Sequence, residues 1–328
     1  MLLPDRPSLA RKILFAPATL VYVLGCAIHR AAMRLNRAHD RSAAGLPLVI
    51  IGSLRAGGAG KTPVTRQLAR DLSRRGHRIG VLVYAVAKPG SKSNPSGFVE
   101  IHPDSDWRAS SDEAVMLARD LRAEGIRVFA TRNRVKARAA LARGGDLDVL
   151  ISDDGLMDVR LADRVLRVAL IRPHDDPGLW DLLPAGAWRL PASALRATTR
   201  VDVTLREGEG FARSTLPPPH ESPSAPSGPV WALAGLGNPE GFLGSLRAAG
   251  WNVEGVAIGP DHGLPDLTRA LHDAEVAGVR AFVCSDKDAV KLQAHPHRPA
   301  NLQVARETVT LSEAFLSRVT TFLAPPTS

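Results

Sequence analysis

The run Gly57-Gly58-Ala59-Gly60-Lys61-Thr62-Pro63 has the residue types and order that hold a polyphosphate. Glycines let the backbone curl so that successive N–H groups point at phosphate oxygens, and the dipole of a following helix adds positive potential. Lys61 then reaches the terminal phosphates, and the Thr62 hydroxyl can hold Mg²⁺. Gly57, Gly58, Ala59, Gly60, Lys61 and Thr62 are therefore the candidate nucleotide-binding residues. Pro63 suits a first helical turn, where its missing N–H costs nothing. One departure is Arg55, which stands where such a loop usually begins with a small residue. A glycine-rich turn without a ligand is the bland alternative. The apolar stretch 48–51 before the loop and the helical pattern 64–74 after it favour the phosphate site.

Three other places offer chemistry. Asp153 and Asp154 follow the apolar run 149–152, which puts them at the carboxyl end of a strand. Carboxylates there, beside a phosphate loop, hold a nucleotide-bound Mg²⁺ directly or through water, so Thr62, Asp153 and Asp154 form the candidate metal set. Two acids before a glycine also make an ordinary turn. Asp112 and Glu113 follow Ser110-Ser111 and open a predicted helix. Read plainly, they are acids in the first turn of a serine-capped helix. Read chemically, a carboxylate near a γ-phosphate takes the proton from an attacking hydroxyl. His262 lies beside Asp261 in a loop after the run 253–258, either as a surface turn or as an imidazole oriented by its acid neighbour.

The elements that must position these groups alternate. Apolar runs at 79–83, 128–130, 149–152 and 165–171 are separated by helical spacing at 112–123 and 134–143. That order predicts a parallel sheet covered on both faces by helices. The segment 207–229, rich in proline, serine and glycine, reads as a linker. Beyond it, strand-like runs at 230–234, 253–258 and 281–284 alternate with helical patterns at 240–249 and 264–277, predicting a second, smaller α/β lobe without a phosphate loop. The expected organisation is an N-terminal helix over 1–42, a nucleotide-binding core over 43–206, a linker over 207–229 and a C-terminal lobe over 230–328.

With 328 residues, both lobes can have cores, and 45% hydrophobic content excludes general disorder. A net charge of +9 points to anionic partners. No nucleic-acid module or aromatic-basic interleaving accompanies it, so lipid headgroups or phosphorylated substrates fit better than nucleic acid. Residues 13–28 are almost wholly apolar, with Arg11 and Lys12 before them and Arg30, Arg34, Arg37 and Arg41 after. This is short for a full span, which takes about 20 residues. Basic flanks fit a helix lying in, or embedded from, the cytoplasmic face of a membrane whose lipids are anionic. The alternative is a core helix buried against the body. Cys26 and Cys284 are far apart in sequence and are expected to stay reduced on that side.

Several strings occur in one order along almost the whole chain: 57–63, Asp112-Glu113, Asp153-Asp154-Gly155-Leu156 with Arg160-Leu161, Leu182-Leu183-Pro184-Ala185-Gly186, 233–240, Asp261-His262, and Asp286-Lys287-Asp288-Ala289-Val290-Lys291-Leu292. In these the chain resembles the tetraacyldisaccharide 4'-kinase family, the lipid A kinases of Gram-negative bacteria. The resemblance implies a P-loop NTPase-like parallel sheet core with a smaller α/β lobe and an N-terminal membrane helix. It implies an ATP-dependent, Mg²⁺-assisted transfer to the 4'-hydroxyl of a membrane-embedded acylated glucosamine disaccharide 1-phosphate, at the cytoplasmic side of the inner membrane among anionic lipids. Carried over residue by residue, it makes Asp112 with His262 the groups that activate the sugar hydroxyl. Glu113, Arg134 and Arg189 form the candidate substrate set, the two arginines meeting the lipid's 1-phosphate.

The chain also departs from the family pattern. Tyr84-Ala85-Val86-Ala87 stand where the family usually has Arg-Gly-Tyr-Gly, Met157-Asp158 replace Gln-His, and Gly263 replaces a second histidine. These changes leave open a divergent paralogue of weak or no kinase activity, acting as a nucleotide- and membrane-binding regulatory protein. A soluble phosphate-loop enzyme acting on a small metabolite is a third reading.

Overall fold

The computed structural model describes residues 7–36, 46–56, 60–84, 97–161, 163–171, 178–190, 202–215, 228–260, 263–293 and 295–325. Its larger sheet contains β1 (Leu48–Ser53), β2 (Ile79–Tyr84), β3 (Phe98–Ile101), β4 (Arg127–Thr131), β5 (Val149–Asp153), β6 (Val165–Ile171) and β7 (Val203–Arg206), in the order β3-β4-β2-β5-β1-β6-β7. Every neighbouring pair is parallel except β3 with β4, so the sheet expected to be parallel is mixed at one edge. The reason is burial. The inner strands are Val/Ile/Leu runs covered on both faces, whereas β3 alternates in exposure and needs cover on one face only.

Helix α2 (Lys61–Arg74) follows β1, α3 (Asp112–Leu121) precedes β4, and α4 (Arg134–Gly144) joins β4 to β5. Val64, Leu68 and Leu72 of α2 pack with Ala114, Leu117 and Leu121 of α3 on one face of the sheet. Val135, Ala137 and Leu141 of α4 cover the other face. Each fully buried valine or leucine among these contributes about 1.5–3 kcal/mol, which helps hold the carboxyl ends of β1 and β5 side by side.

The smaller lobe is a wholly parallel sheet of β9 (Val230–Ala234), β10 (Val253–Ile258), β11 (Ala281–Ser285) and β12 (Leu302–Ala305), ordered β10-β9-β11-β12. Helices α5 (Pro239–Ala248), α6 (Leu267–Val276) and α7 (Asp286–Leu292) complete it. Within the stretch expected to be a linker, Phe211–Thr215 is instead a strand, β8, paired antiparallel with β13 (Glu307–Leu311). The terminal helix α8 (Glu313–Leu323) places Phe315, Leu316 and Val319 in the core of the larger sheet. The chain therefore returns to its first lobe, because β8 supplies β13 with a partner and α8 has an apolar stripe to bury.

Helix α1 (Leu9–Asn36) runs beyond the apolar core that the sequence suggests, with Pro17 inside it. Leu9–Met33 is long and apolar enough to cross a membrane, and only 6% of its apolar window is buried. A core helix would be buried, so that alternative fails. The helix touches the body at a few points. Lys12 pairs with Asp181 at 2.8 Å, Arg11 Nε donates to the Ala185 carbonyl at 2.6 Å, and Tyr22 Oη donates to the Arg189 carbonyl at 3.2 Å. Leu14, Val21, Leu24 and Ile28 face outwards.

Candidate functional site

Strand β1 ends beside β5, with Ile51 in register with Asp153, and this adjacency brings the candidate phosphate loop next to the two acids. Gly60 caps α2 in the left-handed region at φ 70°. The positive φ favours glycine here, and the Arg213 guanidinium lies over the open face that its missing Cβ leaves. Lys61 Nζ reaches Asp154 Oδ2 at 2.8 Å. Gly57, Gly58 and Ala59 lie outside the described residues. The arm leading into them does not: Ala56 N–H donates to the Ala187 carbonyl at 2.7 Å, Arg189 N–H donates to the Leu54 carbonyl at 2.7 Å, and Arg55 bridges to Trp188. Arg55 thus belongs to a short antiparallel ladder, which rests in turn on α1 through Arg189 and Tyr22.

Asp153 and Asp154 differ sharply although adjacent. Asp153 is buried, and Thr62 lies close enough to favour its ionised form although neither carboxylate oxygen has a hydrogen bond of good geometry. Burial first and the charge of Glu113 second push it up to about 7, against the pull of Lys61 and Thr62. Asp154 sits in the left-handed region at φ 68°, fixed by its N–H to the Ile51 carbonyl at 2.9 Å and by Ser152 Oγ donating to its carbonyl at 2.6 Å. Burial would raise Asp154 too, but Lys61, Arg189 and the Gly155 N–H outweigh it and hold the carboxyl at about 2. Arg189 Nη1 lies 3.5 Å from Asp154 Oδ2. No cluster of three or more His, Cys, Asp or Glu that could hold a metal by itself occurs among the described residues. A buried carboxylate without a well-formed hydrogen bond, next to Thr62 and to the candidate phosphate loop, nevertheless fits a cation that takes its other ligands from phosphates and water.

On the facing wall, Ser111 Oγ accepts from Ala114 N at 3.0 Å and so supplies the cap expected from sequence. Asp112 is buried at the same helix start, its Oδ1 accepting from the Glu113 N–H at 3.0 Å, and its Oδ2 lies 3.7 Å from Lys291 Nζ. Glu113 pairs with Lys287, whose ammonium is held well above the usual lysine range; burial works against this, but Glu113, Asp112 and Asp153 outweigh it. The two acids are therefore more than favourable partners for a helix dipole: α7 of the second lobe answers each with a lysine. His262 lies outside the described residues, while Gly263, which follows it, accepts from Lys291 Nζ at 2.9 Å.

Arg134 comes to the back of this site. Its Nε donates to Ser152 Oγ at 2.9 Å, its guanidinium lies over the Tyr84 ring at 5.5 Å, and it packs under Gly155. Burial pulls its pKa below the usual arginine range. Asp158, where the family usually has histidine, takes a two-pronged contact from Arg160 at 2.8 Å to each oxygen. Sequence reasoning missed three basic groups at the site. Arg213, reaching over Gly60 from β8 and paired with Glu207 and Glu307, carries no local signal. Lys287 and Lys291 stand in a string noted without roles; their spacing of four, on one face of a short helix, was the available clue.

Comparison with known proteins places the chain among relatives of one kind. The family described as Tetraacyldisaccharide-1-P 4'-kinase matches residues 11–324. The tetraacyldisaccharide 4'-kinase of Chromobacterium violaceum is 34% identical over 300 residues, covering 85% of this chain and 83% of that protein. The protein of the same name from Halorhodospira halophila is 29% identical over 321 residues, covering 93% of each. A crystal structure of LpxK from Aquifex aeolicus in complex with ATP matches with a TM-score of 0.63 and 21% identity, over 95% of this chain and 99% of that one. At that identity the likeness is one of fold.

Proposed function

From the premise that this chain belongs to the tetraacyldisaccharide-1-P 4'-kinase family and is a lipid-sugar kinase of lipid A biosynthesis, we propose how its residues perform the transfer. ATP binds at the β1–α2 turn, with its phosphates on Gly57, Gly58, Ala59, Gly60, Lys61 and Thr62. The sugar 4'-hydroxyl oxygen bonds to the γ-phosphorus as the bond to the β,γ-bridging oxygen breaks, and ADP leaves. Asp112, with His262, takes the hydroxyl proton. Glu113 lines the acceptor side, and Arg134 and Arg189 are the basic groups toward the lipid's 1-phosphate. The observation that carries this reading is the meeting of Lys61, Asp153 and Asp154 on one wall with Asp112 and Glu113 on the other. Transfer of label from γ-labelled ATP to an acylated disaccharide 1-phosphate tests it. Nucleotide binding without labelled product leaves the regulatory reading, which the Tyr84 and Met157-Asp158 replacements favour.

Thr62, Asp153 and Asp154 would hold Mg²⁺, which neutralises developing phosphate charge when bound. The raised Asp153 gives this a pH signature. Between the ordinary carboxylate range and about 7 the folded chain keeps a proton that the unfolded chain has released, so this group's stabilisation is lost as pH rises through that window. A cation that needs the ionised form competes with that proton. The extra thermal stabilisation by Mg²⁺ with ATP, over ATP alone, should therefore grow between roughly pH 6 and pH 8. Differential scanning fluorimetry reads this directly, and a flat difference counts against Asp153 as a ligand.

The exposed apolar length of α1 and its basic flank are read as attachment to anionic lipids at the cytoplasmic side of the inner membrane. Removing residues 1–40 should lower transfer to vesicle-embedded acceptor by about tenfold or more, since apolar burial and charge supply the attachment. Undiminished turnover on vesicles would support the small-metabolite reading instead.

A further inference from the structure

Lys291 is 1% exposed, deeper than any group of the phosphate site needs to be. A buried ammonium is expensive to desolvate and persists only where its three donors are answered. Here Nζ donates to the Gly235 carbonyl at 3.0 Å and the Gly263 carbonyl at 2.9 Å, and pairs with Asp288 Oδ1 at 2.6 Å. The next charged group is Asp112 Oδ2 at 3.7 Å, which belongs to the other lobe. Asp288 is itself locked, its Oδ2 accepting from Ser285 Oγ at 2.9 Å and from Gly235 N at 3.2 Å. Gly235 allows the whole assembly, because a Cβ there would lie 2.1 Å from the Gly263 carbonyl oxygen and 2.9 Å from Asp288 Oδ1.

A core position needing only volume would be filled by leucine or methionine, without the desolvation cost. What the ammonium adds is direction. It ties the backbone at Gly263, the residue after His262, to the carboxylate of Asp112 across the gap between lobes. We propose that Lys291 is a positioning residue of the transfer reaction, fixing the carboxylate of Asp112 of α3 relative to the Gly263 backbone of the second lobe. This rests on the reading of Asp112 as a proton acceptor given above.

The test is a double-mutant cycle in the full chain on vesicle-embedded acceptor. Lys291→Met should lower kcat by about 100-fold or more and leave KM for ATP within about twofold, because the lost effect concerns proton transfer and not nucleotide binding. In the Asp112→Asn background the same change should add less than about threefold, since a residue acting through Asp112 has nothing left to position. Losses that multiply in full, or a Lys291→Met enzyme with wild-type kcat beside an inactive Asp112→Asn enzyme, overturn the proposal alone. Wild-type kcat in Asp112→Asn overturns the proton-acceptor reading and this proposal with it. Should Lys291→Met show no cooperative melting transition, K291M/D288N removes both charges of the pair and is judged by the same criteria.

Discussion

Exchanging Lys61 for alanine should lower kcat/KM for ATP by about 10³-fold or more, the scale set by losing a preorganised charge at a phosphoryl site. Lys61 is the only described ammonium in contact with Asp154, at 2.8 Å, and it opens α2 where the helix dipole is positive. Its loss has a second consequence. Asp154 is held at about 2 against burial, and Lys61 is the foremost charge holding it there. Without Lys61 that carboxyl should titrate upward, so the residual activity of the variant should recover at higher pH. Arginine should not substitute, since a planar fork cannot take the place of a point charge between a carboxylate and a phosphate. Equilibrium binding of a fluorescent ATP analogue with Mg²⁺ separates lost affinity from lost chemistry. If affinity and turnover both survive in the alanine variant, the phosphate site lies elsewhere.

Asp112→Asn should lower kcat by about 10²–10⁴-fold, the range for a general base, with little change in KM for ATP. The substitution keeps shape and removes the charge that Lys291 faces at 3.7 Å. Glu113 makes a useful contrast. Its carboxylate is already engaged by Lys287 and contributes to the raised pKa of Asp153, so Glu113→Gln should act mainly by making Asp153 easier to ionise. Mg²⁺ affinity at neutral pH should then rise in Glu113→Gln while kcat falls less than in Asp112→Asn. Steady-state kinetics with Mg²⁺ titrations at fixed ATP distinguish the two acids. Equal losses in both variants would mean that neither acid has a separate role.

Some of this was legible along the chain, and the reason is locality. Strand β1, the turn at Gly60 and helix α2 are set by neighbouring residues: an unbroken aliphatic run, glycine where φ is positive, and proline at a first turn. The strands 79–83, 149–152 and 165–171 carry the same signal, and the structure extends each by no more than a residue or two. The placement of Asp153 and Asp154 at a strand end follows as well, because an unbroken apolar run that gives way to two acids and a glycine marks where the strand stops. The edge strands β3, β7 and β12 escaped notice: they are four residues each and half-exposed, so their alternation is too brief to separate from loop. Strand β8 was hidden by its surroundings, since a proline-rich stretch follows directly and its partner β13 lies far along the chain.

The sequence by itself determined the strand, turn and helix that carry Gly60, Lys61 and Thr62, because those elements are set by a few consecutive residues. It also determined that an apolar, basic-flanked helix leads the chain. Only tertiary structure decided that Asp153 keeps its proton to about 7 while Asp154 loses it at about 2, for burial and neighbouring charge are properties of the packed site and not of two adjacent aspartates. It likewise decided that Arg213, Lys287 and Lys291 arrive at the cleft from distant elements. Such contacts arise when lobes and sheets close on one another, and no spacing along the chain records that closure.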